Sequence, residues 1–268
     1  MLGRLVFGVL LVFGALVPFS SLVFSSQLAN QFDSAALPGT LLKIKPGIVA
    51  VGSVQKTRRP PTLFRGTGFA VGDGRLIVTN AHVLPVALDI QNNEQLAIFT
   101  GGGGSVHSRH ATIVGLDKRH DLALLRIDGV PLPALAIGDS DRVLEGEPYA
   151  FTGFPIGVVL GHYPVTHRGI ISAITPIVLP APSPGDLSAK MIRRLRSPFN
   201  VFQLDATAYP GNSGSPLYNF SSGQVVGVVN SVFVKETKEA ILSKPSGITY
   251  AIPAKYVNAL LDNYYNKQ

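Results

Sequence analysis

The segment around Ser213 has the composition of a tight bend that displays a nucleophile. The serine lies beside glycines, after a Pro-Gly pair and before apolar residues that favour a strand, within residues 205–217. Glycine permits the backbone conformations that such a bend needs. A serine hydroxyl is a weak nucleophile unless a base takes its proton, and a further acid must orient that base. The chain must therefore supply both groups elsewhere.

Two upstream residues are candidates for these roles. His82 follows an apolar strand-like run, and Asp121 opens another one. A buried aspartate costs several kcal/mol unless it is hydrogen-bonded, and a histidine ring is a suitable partner. Asp117 competes for the role of acid, but its place in a turn favours a local bond to the backbone. Taken alone, a histidine at the end of an apolar strand is more often a structural residue than a catalytic one.

The order of these residues restricts the class of enzyme. A doubly wound α/β hydrolase places its residues in the order Ser, acid, His, which requires a histidine downstream of the serine. Ser215 also stands where the G-x-S-x-G elbow has its second glycine. The order His82, Asp121, Ser213 is that of the chymotrypsin template. All six histidines precede Ser213: His82, His107, His110, His120, His162 and His167.

Composition favours an all-β protein with two lobes. The chain has 268 residues, is 46% hydrophobic, and its 28 Gly and 20 Pro separate short runs rich in Val, Ile and Leu. Residues 131–141 have the pattern of a linker. We predict a first lobe over 41–137 that carries His and Asp, and a second over 138–268 that carries Ser. The second lobe should end in a short helix that begins after Pro253.

The N-terminus predicts export. An uncharged run from Leu5 to Phe24 follows Arg4, so residues 1–26 read as a signal peptide or a retained membrane anchor, and 27–40 as a polar tether. Either reading places the remainder outside the cytoplasm, in a periplasmic or extracellular setting. The chain has no cysteine, which excludes disulfides and thiol catalysis.

The net charge of +7 raises the question of an anionic partner. The basic residues lie near prolines in predicted loops with few aromatics, which is typical of solvated loop charge and does not indicate nucleic-acid binding. An anionic envelope surface is the partner that fits an exported protein. The two clusters are Lys56, Arg58, Arg59 and Arg65, and Lys190, Arg193, Arg194 and Arg196.

No metal or cofactor is expected. Gly101 to Gly104 lack the lysine and the Ser/Thr-opened helix of a phosphate loop, so they predict a hairpin tip. His107 and His110 lack a third ligand close in sequence and do not indicate a zinc site.

Five motifs together resemble the trypsin-like peptidases of the HtrA/Deg type. The resemblance covers roughly residues 41–260. It implies a chymotrypsin-like double β-barrel with the active site in the cleft between the barrels. It concerns the protease domain only, and no PDZ domain is expected because the chain ends soon after Pro253. The motifs are Gly66-Thr67-Gly68-Phe69, Thr79-Asn80-Ala81-His82-Val83, Asp121-Leu122-Ala123-Leu124-Leu125, Gly211-Asn212-Ser213-Gly214-Ser215-Pro216 and Tyr250-Ala251-Ile252-Pro253.

The resemblance also implies a mechanism and a mode of control. His82 would act as the base, Asp121 would orient it, and the backbone N–H groups of Gly211 and Ser213 would form the oxyanion hole. Digestive relatives have an aspartate at the position of Asn212, which pairs with a newly cut N-terminus. The asparagine therefore argues against activation by cleavage and favours control by loop ordering.

Substrate preference follows from the same resemblance. Thr207 would lie at the base of the primary specificity pocket and is neutral, so cleavage after Lys or Arg is not expected. Val229 and Asn230 stand on the later pocket strand, where glutamyl endopeptidases carry a histidine. We expect a small or medium apolar residue before the cut.

The expected function is that of a serine endopeptidase acting on polypeptides in envelope protein quality control or processing. A protein-binding or chaperone module with little turnover is the alternative, and esterase activity would use the same machinery. The resemblance allows a homo-oligomer. Residues 175–200 stand where the family has a regulatory sensing loop, and their charge suits a separate partner or an anionic surface.

Overall fold

Two closed six-stranded β-barrels form the protein, as a computed structural model shows. The structure describes residues 34–102, 105–155, 161–176, 198–230 and 249–268. All neighbouring strands in both barrels pair antiparallel. The predicted all-β, chymotrypsin-like double β-barrel is therefore confirmed.

The first barrel contains the predicted His and Asp. Its strands neighbour one another in the order β1-β2-β3-β6-β5-β4. Its interior is filled by apolar side chains, because the strands are rich in Val, Ile, Leu and Phe, which favour a pleated, buried surface. The strands are β1 (Ile48–Val54), β2 (Thr62–Val71), β3 (Leu76–Asn80), β4 (Gln95–Gly102), β5 (Ser105–Asp117) and β6 (Leu122–Ile127).

Glycines are placed at two strand connections of this barrel. Gly72-Asp73-Gly74-Arg75 joins β2 to β3, and both of its glycines have positive φ. Strands β4 and β5 pair antiparallel up to Gly102 opposite Ser105, in agreement with the predicted hairpin, and Gly103 and Gly104 lie outside the described residues.

The second barrel contains the serine segment. Its strands are β7 (Pro148–Gly153), β8 (Val165–Pro176), β9 (Asn200–Leu204), β10 (Pro216–Asn219), β11 (Val225–Asn230) and β12 (Thr249–Pro253). They neighbour one another in the order β10-β11-β12-β9-β8-β7. Between β9 and β10 the chain makes the bend that holds Ser213.

Two helices flank the barrels. The C-terminal helix α2 (Lys255–Tyr265) was predicted, and it buries Val257 and Leu260. Helix α1 (Leu37–Ile44) lies across residues that the sequence pattern had divided between a polar tether and the first lobe. The sequence analysis missed this helix because the Pro and Gly near its start resemble a linker. Proline is nevertheless well tolerated in the first turn of a helix.

Several predicted features lie outside the described residues. They include the export segment over 1–26 and the basic residues of 190–196. Across the described ranges, no helix combines the length and the apolar character needed to cross a bilayer.

A polar cluster ties two surface segments of the first barrel together. Glu94 accepts hydrogen bonds from Ser53 Oγ (2.5 Å), Arg58 Nη1 (2.8 Å) and the Asp89 amide (3.0 Å), and its side chain is 8% exposed. The Asp89 amide is the main cause, with Ser53 and Arg58, that lowers the Glu94 pKa to about 2. Arg58 was predicted to be a solvated loop charge, but it is partly buried and forms an ion pair with Glu94.

Replacing Glu94 by Gln should destabilise the protein in a pH-dependent way. The folded pKa of about 2 lies below the unfolded value near 4.5, so the stabilisation is complete above pH ~4.5 and is lost as pH falls toward 2. We expect Glu94→Gln to lower the free energy of unfolding by about 1–3 kcal/mol at pH 7, and by less at pH 3. Urea unfolding at both pH values measures this. Asp262→Asn, at an exposed position, is the control, and an equal loss at both pH values would contradict the prediction.

Candidate active site

His82 and Asp121 form a hydrogen-bonded pair at one end of the first barrel. His82 follows β3, and Asp121 directly precedes β6, which pairs with β3 so that Asn80 faces Leu122. Asp121 Oδ2 lies 2.6 Å from His82 Nδ1, and Oδ1 accepts the His82 amide at 2.9 Å. A carboxylate can only accept, so Nδ1 carries the ring proton and Nε2 is left as an acceptor. The predicted base and acid are thus brought together.

The backbone of Asp121 is itself unusual. Its φ of 55° places it in the left-handed region, which few residues other than glycine adopt and which Asp tolerates better than most. Its carbonyl accepts hydrogen bonds from the Ala81 amide and from Asn80 Nδ2, both at 3.0 Å. These bonds hold the carboxylate against the turn that carries His82.

Asp117 has the local role that its turn position predicts. Its Oδ1 accepts hydrogen bonds from the amides of Arg119 and His120, and its Oδ2 lies 2.5 Å from His120 Nδ1. Burial raises the pKa of Asp117, but the bonds from His120 outweigh it, and the pKa lies below its usual range. Asp121, and not Asp117, is therefore the acid bonded to His82.

Ser213 sits on a bend between two glycines with positive φ, Gly211 (101°) and Gly214 (88°). The Asn212 carbonyl accepts the Ser215 amide at 3.0 Å. A trans peptide is planar, so fixing that carbonyl also aims the Ser213 N–H in the opposite direction. A Cβ atom on Gly214 would lie 2.0 Å from the carbonyl oxygen of Thr67, which only glycine avoids. The bend is thus pressed directly against the first barrel.

Thr67 on β2 connects the serine bend to the first barrel. Its amide donates to the Ser213 carbonyl (2.8 Å), and its hydroxyl donates to the Gly211 carbonyl (2.7 Å). The hydroxyl also accepts the Phe154 amide (3.0 Å), and the Thr67 carbonyl accepts Thr79 Oγ1 (2.7 Å). Sequence reasoning quoted Thr67 within a motif but gave it no role. A polar residue in the apolar half of a strand, Gly66 to Val71, was the available signal.

Gly66 marks where the serine bend meets the histidine turn. A Cβ atom on this glycine would lie 2.6 Å from Val83 Cγ2 and 2.8 Å from the Ser213 carbonyl oxygen. Val83 is the residue after His82, so the bend and the turn flank the same glycine. The Ser213 carbonyl and Val83, the residue after His82, are therefore both next to Gly66.

Asn230 bonds the second barrel to the acid. Its Nδ2 donates to Asp121 Oδ2 at 2.7 Å. The preceding Val229 is fully buried in the second core, and its amide and carbonyl bond to Ser215 and Gly214, each at 2.9 Å. Both residues were predicted to bind substrate. The contacts described for them position the acid and the serine bend, and direct contact with substrate stays a prediction.

The remaining candidate residues have different surroundings. Thr207 is half-buried in the segment before the serine bend. The rings of His162 and His167 stack on Phe154 and Phe151, and burial lowers the pKa of both histidines. Within the described ranges, no three His, Cys, Asp or Glu residues gather in a way that could hold a metal ion.

Comparison with known proteins finds serine proteases among the proteins similar to this chain. A family model described as a trypsin-like peptidase domain matches residues 66–228. A DegP-like periplasmic serine endoprotease from Halomonas elongata is 30% identical over 201 residues, which is 75% of this chain and 35% of the relative. The human serine protease HTRA4 is 29% identical over 230 residues, covering 84% of this chain and 41% of the relative. The chain spans about a third of the length of the DegP-like relatives it matches.

Solved structures share the fold. The serine endoprotease from Yersinia pestis superposes with a TM-score of 0.58 at 24% identity, covering 85% of this chain and 66% of the other. An HtrA-type protease solved with a tripeptide gives a TM-score of 0.58 at 23% identity, covering 84% and 62%.

Removing the Thr67 hydroxyl should impair the serine bend. Thr67→Val leaves the Gly211 carbonyl and the Phe154 amide without their buried partner, at a cost of about 1–3 kcal/mol each. We expect the rate at which a fluorophosphonate labels Ser213 to fall by about 10- to 100-fold. Thr67→Ser keeps the hydroxyl and is the matched control. Equal rates for Val and Ser would contradict this role.

Changing Asn230 should affect the acid in two distinguishable ways. Asn230→Ala removes one charge-assisted bond to Asp121, and we expect Ser213 labelling to slow by about tenfold. Asn230→Asp places a second carboxylate within hydrogen-bond distance of the first, and two such charges cannot both ionise freely. We expect a slower rate than for Ala and a new pH dependence. A pH series of labelling rates measures both, and identical profiles for the two variants would refute the assignment.

Proposed function

Because this chain belongs to the trypsin-like peptidase family, we propose that it is a serine endopeptidase that cleaves peptide bonds through an acyl-enzyme. The resemblance to the HtrA/Deg type, drawn from the motifs, is confirmed by the family model and by relatives named DegP-like and HTRA. The observation that carries the proposal is the continuous set of contacts from His82 through Asp121 and Asn230 to the Ser213 bend.

His82 is the general base of the proposed reaction. The hydrogen bond from Nδ1 to Asp121 fixes the tautomer in which Nε2 is the acceptor. Nε2 takes the proton of the Ser213 hydroxyl as the oxygen attacks the peptide carbonyl, and then delivers it to the leaving amine. Asp121 stays ionised and stabilises the imidazolium formed in between.

The backbone amides of Gly211 and Ser213 serve as oxyanion donors. The Ser213 amide belongs to a peptide whose carbonyl is fixed by the Ser215 amide. The next peptide toward the N-terminus, between Gly211 and Asn212, is held through its carbonyl by the Thr67 hydroxyl. Preorganised donors of this kind stabilise the tetrahedral intermediate, and loss of one costs about 3–4 kcal/mol in comparable enzymes. Water then attacks the acyl-enzyme with His82 again as base, which releases the acid product.

Control by loop ordering, without a cleavage step, fits the environment of Asn212. This residue is fully buried beside the nucleophile, and its side chain is uncharged. An ammonium group from a cut N-terminus would find no opposite charge there, and burying it unpaired would be costly.

The substrates are polypeptides cut after a small or medium apolar residue. The half-buried Thr207 offers no charge that would select Lys or Arg. The setting is the cell envelope, in agreement with the periplasmic DegP-like relatives, and the role is protein quality control or processing. Exposed Lys56, Arg59 and Arg65 remain available for an anionic envelope surface, whereas Arg58 is engaged with Glu94.

Labelling and hydrolysis together test the proposal. Wild-type protein should react with a serine-directed fluorophosphonate and cleave an unfolded polypeptide, with or without an activating peptide. Ser213→Ala should lose labelling, and His82→Ala should slow hydrolysis by at least ~10⁴-fold. Wild type that neither labels nor cleaves under any of these conditions would refute the enzyme and leave the protein-binding alternative.

A further inference from the structure

The turn before the acid contains a second histidine–aspartate pair, outside the cleft. His120 Nδ1 lies 2.5 Å from Asp117 Oδ2, and the His120 side chain is 12% exposed. The proposed reaction transfers protons through His82 and does not use this second pair. His120 nevertheless directly precedes Asp121, which bonds His82.

The His120 ring is clamped by aromatic residues from the second half of the chain. It stacks on Tyr256 of α2 with ring centroids 3.8 Å apart and an interplanar angle of 15°. The Phe199 ring, just before β9, meets it edge-on at 4.7 Å. Phe199 and Tyr256 also contact each other, at 5.5 Å. The ring is therefore held on its face, on its edge and at Nδ1.

The backbone around His120 is fixed as firmly as its ring. Asp117 Oδ1 accepts the amides of Arg119 and His120, so the turn is closed by one carboxylate. The dihedral φ of Asp121 is defined from the carbonyl carbon of His120, and its value of 55° is unfavourable for a residue with a side chain. Such a conformation persists only where the surroundings determine it, and it costs about 1–3 kcal/mol.

We propose that His120 is a positioning residue for Asp121, through its bond to Asp117 and its packing between Tyr256 and Phe199. The clamp keeps the turn in the conformation that aims the Asp121 carboxylate at His82 Nδ1. Contacts from the second half of the chain thereby determine the geometry of an acid carried by the first barrel. The inference rests on the proposed function, since it concerns the acid of that reaction.

A role limited to packing makes a different prediction. If His120 only stabilised the fold, a smaller fraction of a variant would be folded. In each folded molecule, however, Ser213 would react with the fluorophosphonate at the wild-type rate. If His120 positions Asp121, every folded molecule reacts more slowly. The final fraction labelled and the rate constant of labelling separate the two cases.

Two substitutions separate the ring from its hydrogen bond. His120→Phe keeps an aromatic ring and removes the bond to Asp117, whereas His120→Asn keeps a donor near the Nδ1 position and removes the stack. Leu261→Ala is the matched control, because Leu261 is a partly buried residue of the same helix as Tyr256 and packs on the core. Each variant is labelled with an excess of fluorophosphonate, and its Tm is recorded.

We expect both His120 variants to reach full labelling with rate constants reduced by about 10- to 100-fold, as for a misplaced catalytic group. The double variant Asp117→Ala, His120→Phe should have nearly the same labelling rate constant as either single variant, because both changes remove the same hydrogen bond. Leu261→Ala should lower Tm and keep the wild-type rate constant. Wild-type rate constants in both His120 variants would overturn the inference while leaving the enzyme intact, whereas unlabelled wild type would refute the proposed function itself.

Discussion

The chemistry of this molecule depends on how one carboxylate is held. The carboxylate of Asp121 accepts two hydrogen bonds from His82 in the first barrel and one from Asn230 in the second. A partly buried charge is tolerated only when such donors replace water, and here the same donors fix its direction. The donors that hold the acid therefore come from both barrels.

The sequence predicted what depends on residue type and order. Ser213 beside glycines, a histidine upstream and an aspartate at a strand start were enough to propose the catalytic residues, and the resemblance to the HtrA/Deg type implied two β-barrels. The contacts of Thr67 and Asn230 could not be predicted in this way, because they join residues 144 and 109 positions apart. Which side chains face each other across the cleft depends on strand register and barrel approach. Helix α1 was missed for a local reason, since its proline and glycine resemble a linker.

The left-handed conformation of Asp121 shows how strain and support are distributed. Its carbonyl is bonded to the chain around Ala81, and the turn that precedes it is closed by Asp117 and the aromatic clamp of His120. The Asp121 carbonyl is supported by hydrogen bonds from the turn that carries His82. The residue before Asp121 is supported by a hydrogen bond to Asp117 and by aromatic contacts. An apolar contact outside the cleft can thus determine the direction of a charged group inside it.

Thr67 has a consequence for how this sequence can change over evolutionary time. The partners of its hydroxyl in the second barrel and in the serine bend are main-chain groups, the carbonyl of Gly211 and the amide of Phe154. Main-chain groups are the same whatever side chain they carry, so no second substitution can restore the bonds that a change at position 67 removes. Only a residue with a β-hydroxyl, threonine or serine, can therefore keep these bonds at position 67.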